Sequence, residues 1–249
     1  MSESTIWEYF ELPSKGMVYA KPIKSRVSLR SMTTIEEMKR CSRTDTPYKV
    51  MSDIIEDCMK DKPEIHVYDM CLGDYQFLLH KLRIVTYGPE YKMQVTCDKC
   101  GETTESVGDL ESLEVHEWDE EIIDQMNVTL PKSGRLVELK FQTPRDMDMV
   151  AYKAREMRKR TKVNTEYEIL FTLTTLIRKV DGKEMSALEL EEFCKKLPLQ
   201  DVAFLYGKSG ELTRKVGLDT SLSVKCAGCG HELITSFRLT PEFFGPRIH

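Results

Sequence analysis

The chain has 249 residues, 41 acidic and 36 basic, for a formal net charge of −5, with 41% hydrophobic and 31% charged residues. That mixture suits a folded protein and excludes collagen-like, wholly disordered and membrane-spanning classes. It provides no overall polycation for nucleic acid or an anionic membrane. With Glu3 and Glu8 in place of a basic-then-apolar leader, the first ten residues predict a cytosolic protein rather than a secreted one.

Residues 5–30 are punctuated by Pro13 and Gly16, which predict a turn in LPSKGMVY, and RVSLR at 26–30 alternates like a strand. A helix is expected over 33–42, capped by Thr33 or Thr34 with Glu36 and Glu37 in its first turn. A second is expected over 49–60, ended by Pro63. The firmest helix lies within 69–87, where Tyr75, Leu78, Leu79 and Leu82 recur at three and four, Asp74 is the expected cap, and Gly88-Pro89 is the stop. His80 within it reads as a packed residue rather than a metal ligand. The strand YKMQVT follows.

From Asp98 to Asp124 there are 11 acidic residues against one basic. A solvated face explains such a run; a docking surface for a basic partner is the sharper alternative. VTLP, KSGR and LVELKF over 128–142 predict a hairpin turning at Lys132–Arg135. Thr143 and Pro144 open a helix to about Arg160, with Met147, Val150, Ala154 and Met157 on one side. Its second half carries Arg155, Arg158, Lys159 and Arg160, read first as a solvated helix end and second as a patch for an acidic partner. Further helices are expected over 165–179, from a Ser186 cap with Glu189 to Lys195, and over Gln200–Tyr206, with a turn at Asp181-Gly182. Strands at Thr220–Lys225 and Glu232–Leu239 precede Phe243 and Phe244, which either fold back on the core or anchor a partner.

Cys97 and Cys100 form CDKC and Cys226 and Cys229 form CAGC, each followed by Gly and flanked by strand-like runs. Two thiolates three residues apart face one ion when the turn between them is tight, and the glycine relieves backbone crowding. Four sulfurs complete a tetrahedron, so the economical reading is one structural zinc shared by two knuckles about 125 residues apart. The alternatives are a redox dithiol, two separate ions with His231 as an added candidate ligand, and an iron–sulfur cluster. Cys41, Cys58, Cys71 and Cys194 read as small buried hydrophobes. GKSG at 207–210 lacks the leading glycine of a phosphate-binding loop and reads as a turn. No GxGxxG, GxSxG or HExxH pattern is present, and the sequence reads as non-enzymatic.

Several pieces in order resemble the baseplate hub assembly proteins of T-even-type contractile-tailed bacteriophages: LPSKGMVY, CLGDYQFLLHKLRIVTYGPEY, VTCDKCG, VKCAGCGHEL and LTPEFF. The resemblance implies structural or assembly work in the baseplate hub, in the host cytoplasm and in or around the virion, without a catalytic centre. It places the four cysteines as metal ligands and other hub or tail proteins as partners, and leaves a homo-oligomer open. Phe243 and Phe244 are our candidate partner contacts, beside the cations at 155–160. The expected fold class is α+β, a helical body with a small β zinc-ribbon region. Its expected division is 1–92, an N-terminal α+β region; 93–142 with 218–249, the ribbon region; and 143–217, a helical insert. The rival reading is a zinc-ribbon nucleic-acid-binding or regulatory module.

Overall fold

The turn at Pro13–Gly16 folds strand β1 (Glu8–Glu11) back antiparallel onto β2 (Arg26–Leu29). Gly16 sits at φ +73°, and a Cβ there would lie 2.1 Å from the Ile23 carbonyl oxygen, so only glycine fits. The computed structural model describes residues 5–161, 165–236, 239 and 243.

Helix α1 (Thr34–Arg40) starts at the expected cap, Thr33, with Glu36 closing a capping box. Helix α2 (Pro47–Asp57) begins two residues before the expected start and stops well before Pro63. Thr46 makes no capping bond; the carboxylate of Asp148, 100 residues away, instead accepts the N–H groups of Tyr48 and Lys49. Helix α3 (Leu72–Tyr87) corrects the Asp74 cap: Cys71 occupies the cap position, and Asp74 is fully buried. The Asp74 carboxylate accepts the Ser14 N–H at 2.9 Å, the Ser14 hydroxyl and the Tyr19 hydroxyl, tying the first turn of the chain to α3. Charge at this depth is offset only by such donors.

Two hairpins follow the same plan: β3 (Glu90–Thr96) with β4 (Thr103–Asp109), and, late in the chain, β10 (Ser221–Lys225) with β11 (Glu232–Ser236). Between them, β5 (Val115–His116) pairs with β9 (Gly217–Leu218), and short helix α4 (Glu121–Gln125) leads into β6 (Asn127–Thr129). The expected hairpin over 128–142 is present as β6 and β7 (Leu136–Leu139), and β8 (Ile177–Val180) adds a third strand. These strands share a core with the later helices, not with the cysteine hairpins.

Helix α5 (Pro144–Thr161) is capped by Thr143, whose hydroxyl accepts the Asp146 N–H at 3.2 Å. Helix α6 (Tyr167–Leu176) stops three residues short of the expected end. Its last expected residues form β8, because Ile177 and Val180 bury against β7 and the β-branched pair favours that pleat. Asp181 and Gly182 then turn at positive φ, as expected. Helix α7 (Ala187–Lys195) carries the Ser186–Glu189 capping box. Helix α8 (Leu199–Lys215) is much longer than the expected 200–206 segment and contains GKSG, which is helix rather than turn. Leu205 and Leu212, two turns apart on one face, are buried and carry the helix through two glycines that each cost roughly 1 kcal/mol against alanine.

Two main cores result. The first joins β1, β2, α2 and α3 around Ile54, Tyr75, Leu78 and Leu82, and it also takes Met93 of β3, Leu239 and Phe243. The second joins β6–β8 with α4, α6, α7 and α8 around Leu130, Val137, Leu176 and Leu205. Among the described residues, no helix is long and apolar enough to cross a membrane.

Candidate metal centre

Along β3, Tyr91, Met93 and Val95 turn inward while Lys92, Gln94 and Thr96 face solvent. In the second hairpin Val224 and Leu233 turn inward and Ile234 faces out. Each hairpin tip is a C-x-x-C turn built from the same bonds. The Cys97 N–H donates to the Glu102 carbonyl at 2.8 Å and the Gly101 N–H to the Cys97 carbonyl at 2.9 Å. The Cys226 N–H donates to His231 at 2.8 Å and the Gly230 N–H to Cys226 at 2.9 Å. Gly101 and Gly230, expected to relieve backbone crowding after the second cysteine, do so in the left-handed conformation at φ +73° and +70°.

The tips meet. Cys97 Sγ lies 3.7 Å from Cys229 Sγ, and Cys100 Sγ 3.7 Å from Cys226 Sγ. All four sulfurs fall within 4.8 Å of one another, with Cys97 and Cys226 buried and Cys100 and Cys229 exposed. With metal–sulfur bonds of about 2.3 Å, the edge of a tetrahedral zinc–thiolate site is about 3.8 Å. The donor set and spacing therefore fit one divalent ion, consistent with zinc. The residues are free cysteines.

The N–H groups of Cys100 and Lys99 pull the Cys97 thiol down to about 7. At Cys100 the Glu102 N–H also pulls down, but the sulfurs of Cys229, Cys97 and Cys226 outweigh it and push that thiol up to about 12. Four thiolates crowded together repel; a cation removes the repulsion, so metal capture and deprotonation are linked.

Two cross-tip contacts escape the sequence. His231 Nε2 lies 3.3 Å from Asp98 Oδ1, so this further candidate beside the four expected sulfurs faces a carboxylate of the opposite turn and is outside the four-sulfur set. The Glu102 carboxylate lies over Gly228, where a Cβ would come within 1.6 Å of Oε2. Of the remaining cysteines, Cys58, Cys71 and Cys194 are buried as expected; Cys41 is exposed at the end of α1, a correction. His80 is packed in α3, its Nε2 2.8 Å from the Leu110 carbonyl oxygen.

A family model described as T4 bacteriophage base plate protein matches residues 7–245. The chain belongs to that family. Neither the curated proteins nor the solved structures yield a match. Membership points to a structural or assembly role in a phage tail baseplate, to contacts with other baseplate proteins, and to a non-enzymatic protein.

The expected partner contacts of this base plate protein fall in different settings. Phe243 takes the folded-back alternative: it is buried, its ring 5.0 Å from that of Tyr91. Phe244 lies outside the described residues. Arg155 pairs with Asp45 at 2.5 Å, Arg158 with Glu166 and Glu168 at 2.8 and 3.1 Å, and Lys159 with Glu156 at 3.0 Å. Arg160 is exposed at the end of α5, beside a shallow hollow lined by Met157 and Phe171.

Proposed function

We propose that this protein helps build, or forms part of, the baseplate hub through protein–protein contacts, with one structural zinc held by Cys97, Cys100, Cys226 and Cys229. The family match over residues 7–245 carries this reading. The donor geometry supports zinc: four sulfurs at tetrahedral spacing leave no open coordination position, which is how structural rather than catalytic zinc is held. When bound, the ion contributes folding free energy by joining two hairpins far apart in the chain. The second half of α5 with Arg155, Arg158, Lys159 and Arg160 is the surface we assign to an acidic partner, which would exchange for the chain's own Asp45, Glu156, Glu166 and Glu168. Host cytoplasm during assembly, and the virion baseplate for an incorporated subunit, are the expected locations.

Co-expression with other baseplate hub proteins, followed by affinity capture and native mass, tests the assignment. A stoichiometric complex that survives physiological salt supports it. Failure to join any hub protein, together with salt-dependent retention on DNA or RNA, would transfer the protein to the nucleic-acid-binding reading. Metal analysis of the same sample should give one zinc per chain; two would indicate separate sites.

A further inference from the structure

The paired hairpins have too little core of their own. Their apolar cluster is Cys97, Val224, Cys226 and Leu233, with Val95 against it. At the end away from the sulfurs, however, there is a second closure. Tyr91, at the root of β3, stacks on Phe243, which follows β11 by seven residues; the ring centroids are 5.0 Å apart and the planes tilted by 39°. Phe243 is 5% exposed and Leu239 3%, both inside the N-terminal core. Cys97 lies six residues along β3 from Tyr91, about 20 Å of extended chain. Between them Met93 packs in the N-terminal core, and Val95 touches both that core and the cysteine cluster. The inward face of β3 is thus one continuous line of packed side chains from the aromatic pair to the sulfurs.

We infer that Phe243 is a positioning residue for the metal centre: its stacking on Tyr91 seats the C-terminal hairpin, whose β10 packs on β4, against the β3–β4 hairpin and so presents Cys226 and Cys229 to Cys97 and Cys100. The inference rests on the metal reading above. Both closures join the same two stretches of chain, so each raises the effective concentration of the other. The coupling is reciprocal: whatever Phe243 contributes to metal retention, the metal contributes to the burial of Phe243.

The test uses the full chain purified with zinc, with release followed by a chromogenic chelator. Phe243→Ala is expected to speed release by about fivefold or more, with Phe243→Leu between it and the wild type. Ile54→Val, a fully buried change in the same core on α2, serves as the control for general loosening and should release zinc at the wild-type rate. Should Phe243→Ala fail to fold, Phe243→Leu carries the test. In the wild type, zinc withdrawal should abolish the nuclear Overhauser contact between selectively labelled Tyr91 and Phe243 rings. Release from the Phe243 variants at the wild-type rate, or equal acceleration by Ile54→Val, overturns the coupling while leaving the zinc site standing. Wild-type protein without zinc overturns the metal reading itself.

Discussion

The N-terminal core and the cysteine hairpins solve one problem by opposite means. Around α3, the long side chains of Tyr75, Leu78, Leu79 and Leu82 are fully buried in a core shared with α2, β1 and β2. Burying each contributes about 1.5–3 kcal/mol. The cluster the hairpins share is Val224, Leu233 and two cysteines, with Val95 against it, although the hairpins stand at residues 90–109 and 221–236 of the chain. Apolar burial on that scale does not hold two hairpins together. Metal–thiolate bonds at the proposed four-sulfur site would, at apparent values of about 10–16 kcal/mol for structural zinc. Long side chains give one region its stability; in the other, that part falls to the ion we propose for the four sulfurs.

Separating the two sources experimentally sharpens this contrast. Cys226→Ser should have the largest effect. It should abolish stoichiometric zinc and remove hydrogen-exchange protection from β3, β4, β10 and β11, while α3 stays protected. Loss of protection throughout the chain would show that the two regions fold as one unit.

Leu79→Ala attacks the other region and should cost about 2–5 kcal/mol. Tm should fall by about 10 °C in scanning calorimetry while zinc content stays at one per chain. Parallel loss of zinc would break the distinction.

Acid should weaken both regions for different reasons. Burial drives the His80 pKa down to about 4, although the Leu110 carbonyl accepting from Nε2 pulls the other way. The unfolded chain binds a proton near 6.5 that the folded chain refuses, so this contribution is present above about pH 6.5 and lost as pH falls toward 4. It amounts to about 3 kcal/mol. Urea titrations of wild type and His80→Gln between pH 7 and 4 should show a shallower slope in the variant. Zinc held at the proposed site should be released in acid because protons compete for the thiolates, and His80→Gln should leave that release unchanged.

Asp98→Asn should matter least. The His231–Asp98 pair is exposed on the carboxylate side, and such pairs contribute about 0–1 kcal/mol. Its effect on zinc release should be small and should vanish in high salt; a large, salt-independent effect would mean that the turn itself had moved.

Local signals were legible wherever the deciding atoms lie close in sequence. The Thr33–Glu36 and Ser186–Glu189 capping boxes and the Asp181-Gly182 turn are settled within four residues. The readings that changed were settled from afar. Asp74 was expected to cap α3, but Ser14 and Tyr19 draw its carboxylate inward across 60 and 55 residues. The end of the expected 165–179 helix became β8 because β7 offered it a partner. GKSG stayed helical because packing of Leu205 and Leu212 outweighs two unfavourable glycines.

The amino-acid sequence alone supplied the four candidate ligand sulfurs and the glycine-relieved turns that carry them, each written in residue types at short spacing, and the family, written in the order of several pieces along the chain. Only the tertiary structure decided that the four sulfurs converge, that Phe243 turns inward onto Tyr91, and that the buried carboxylates of Asp74 and Asp148 serve distant backbone donors. Bringing together groups about 60–150 residues apart carries a loop-closure cost that depends weakly on length, so nothing in the local pattern records which distant partner the folded chain selects.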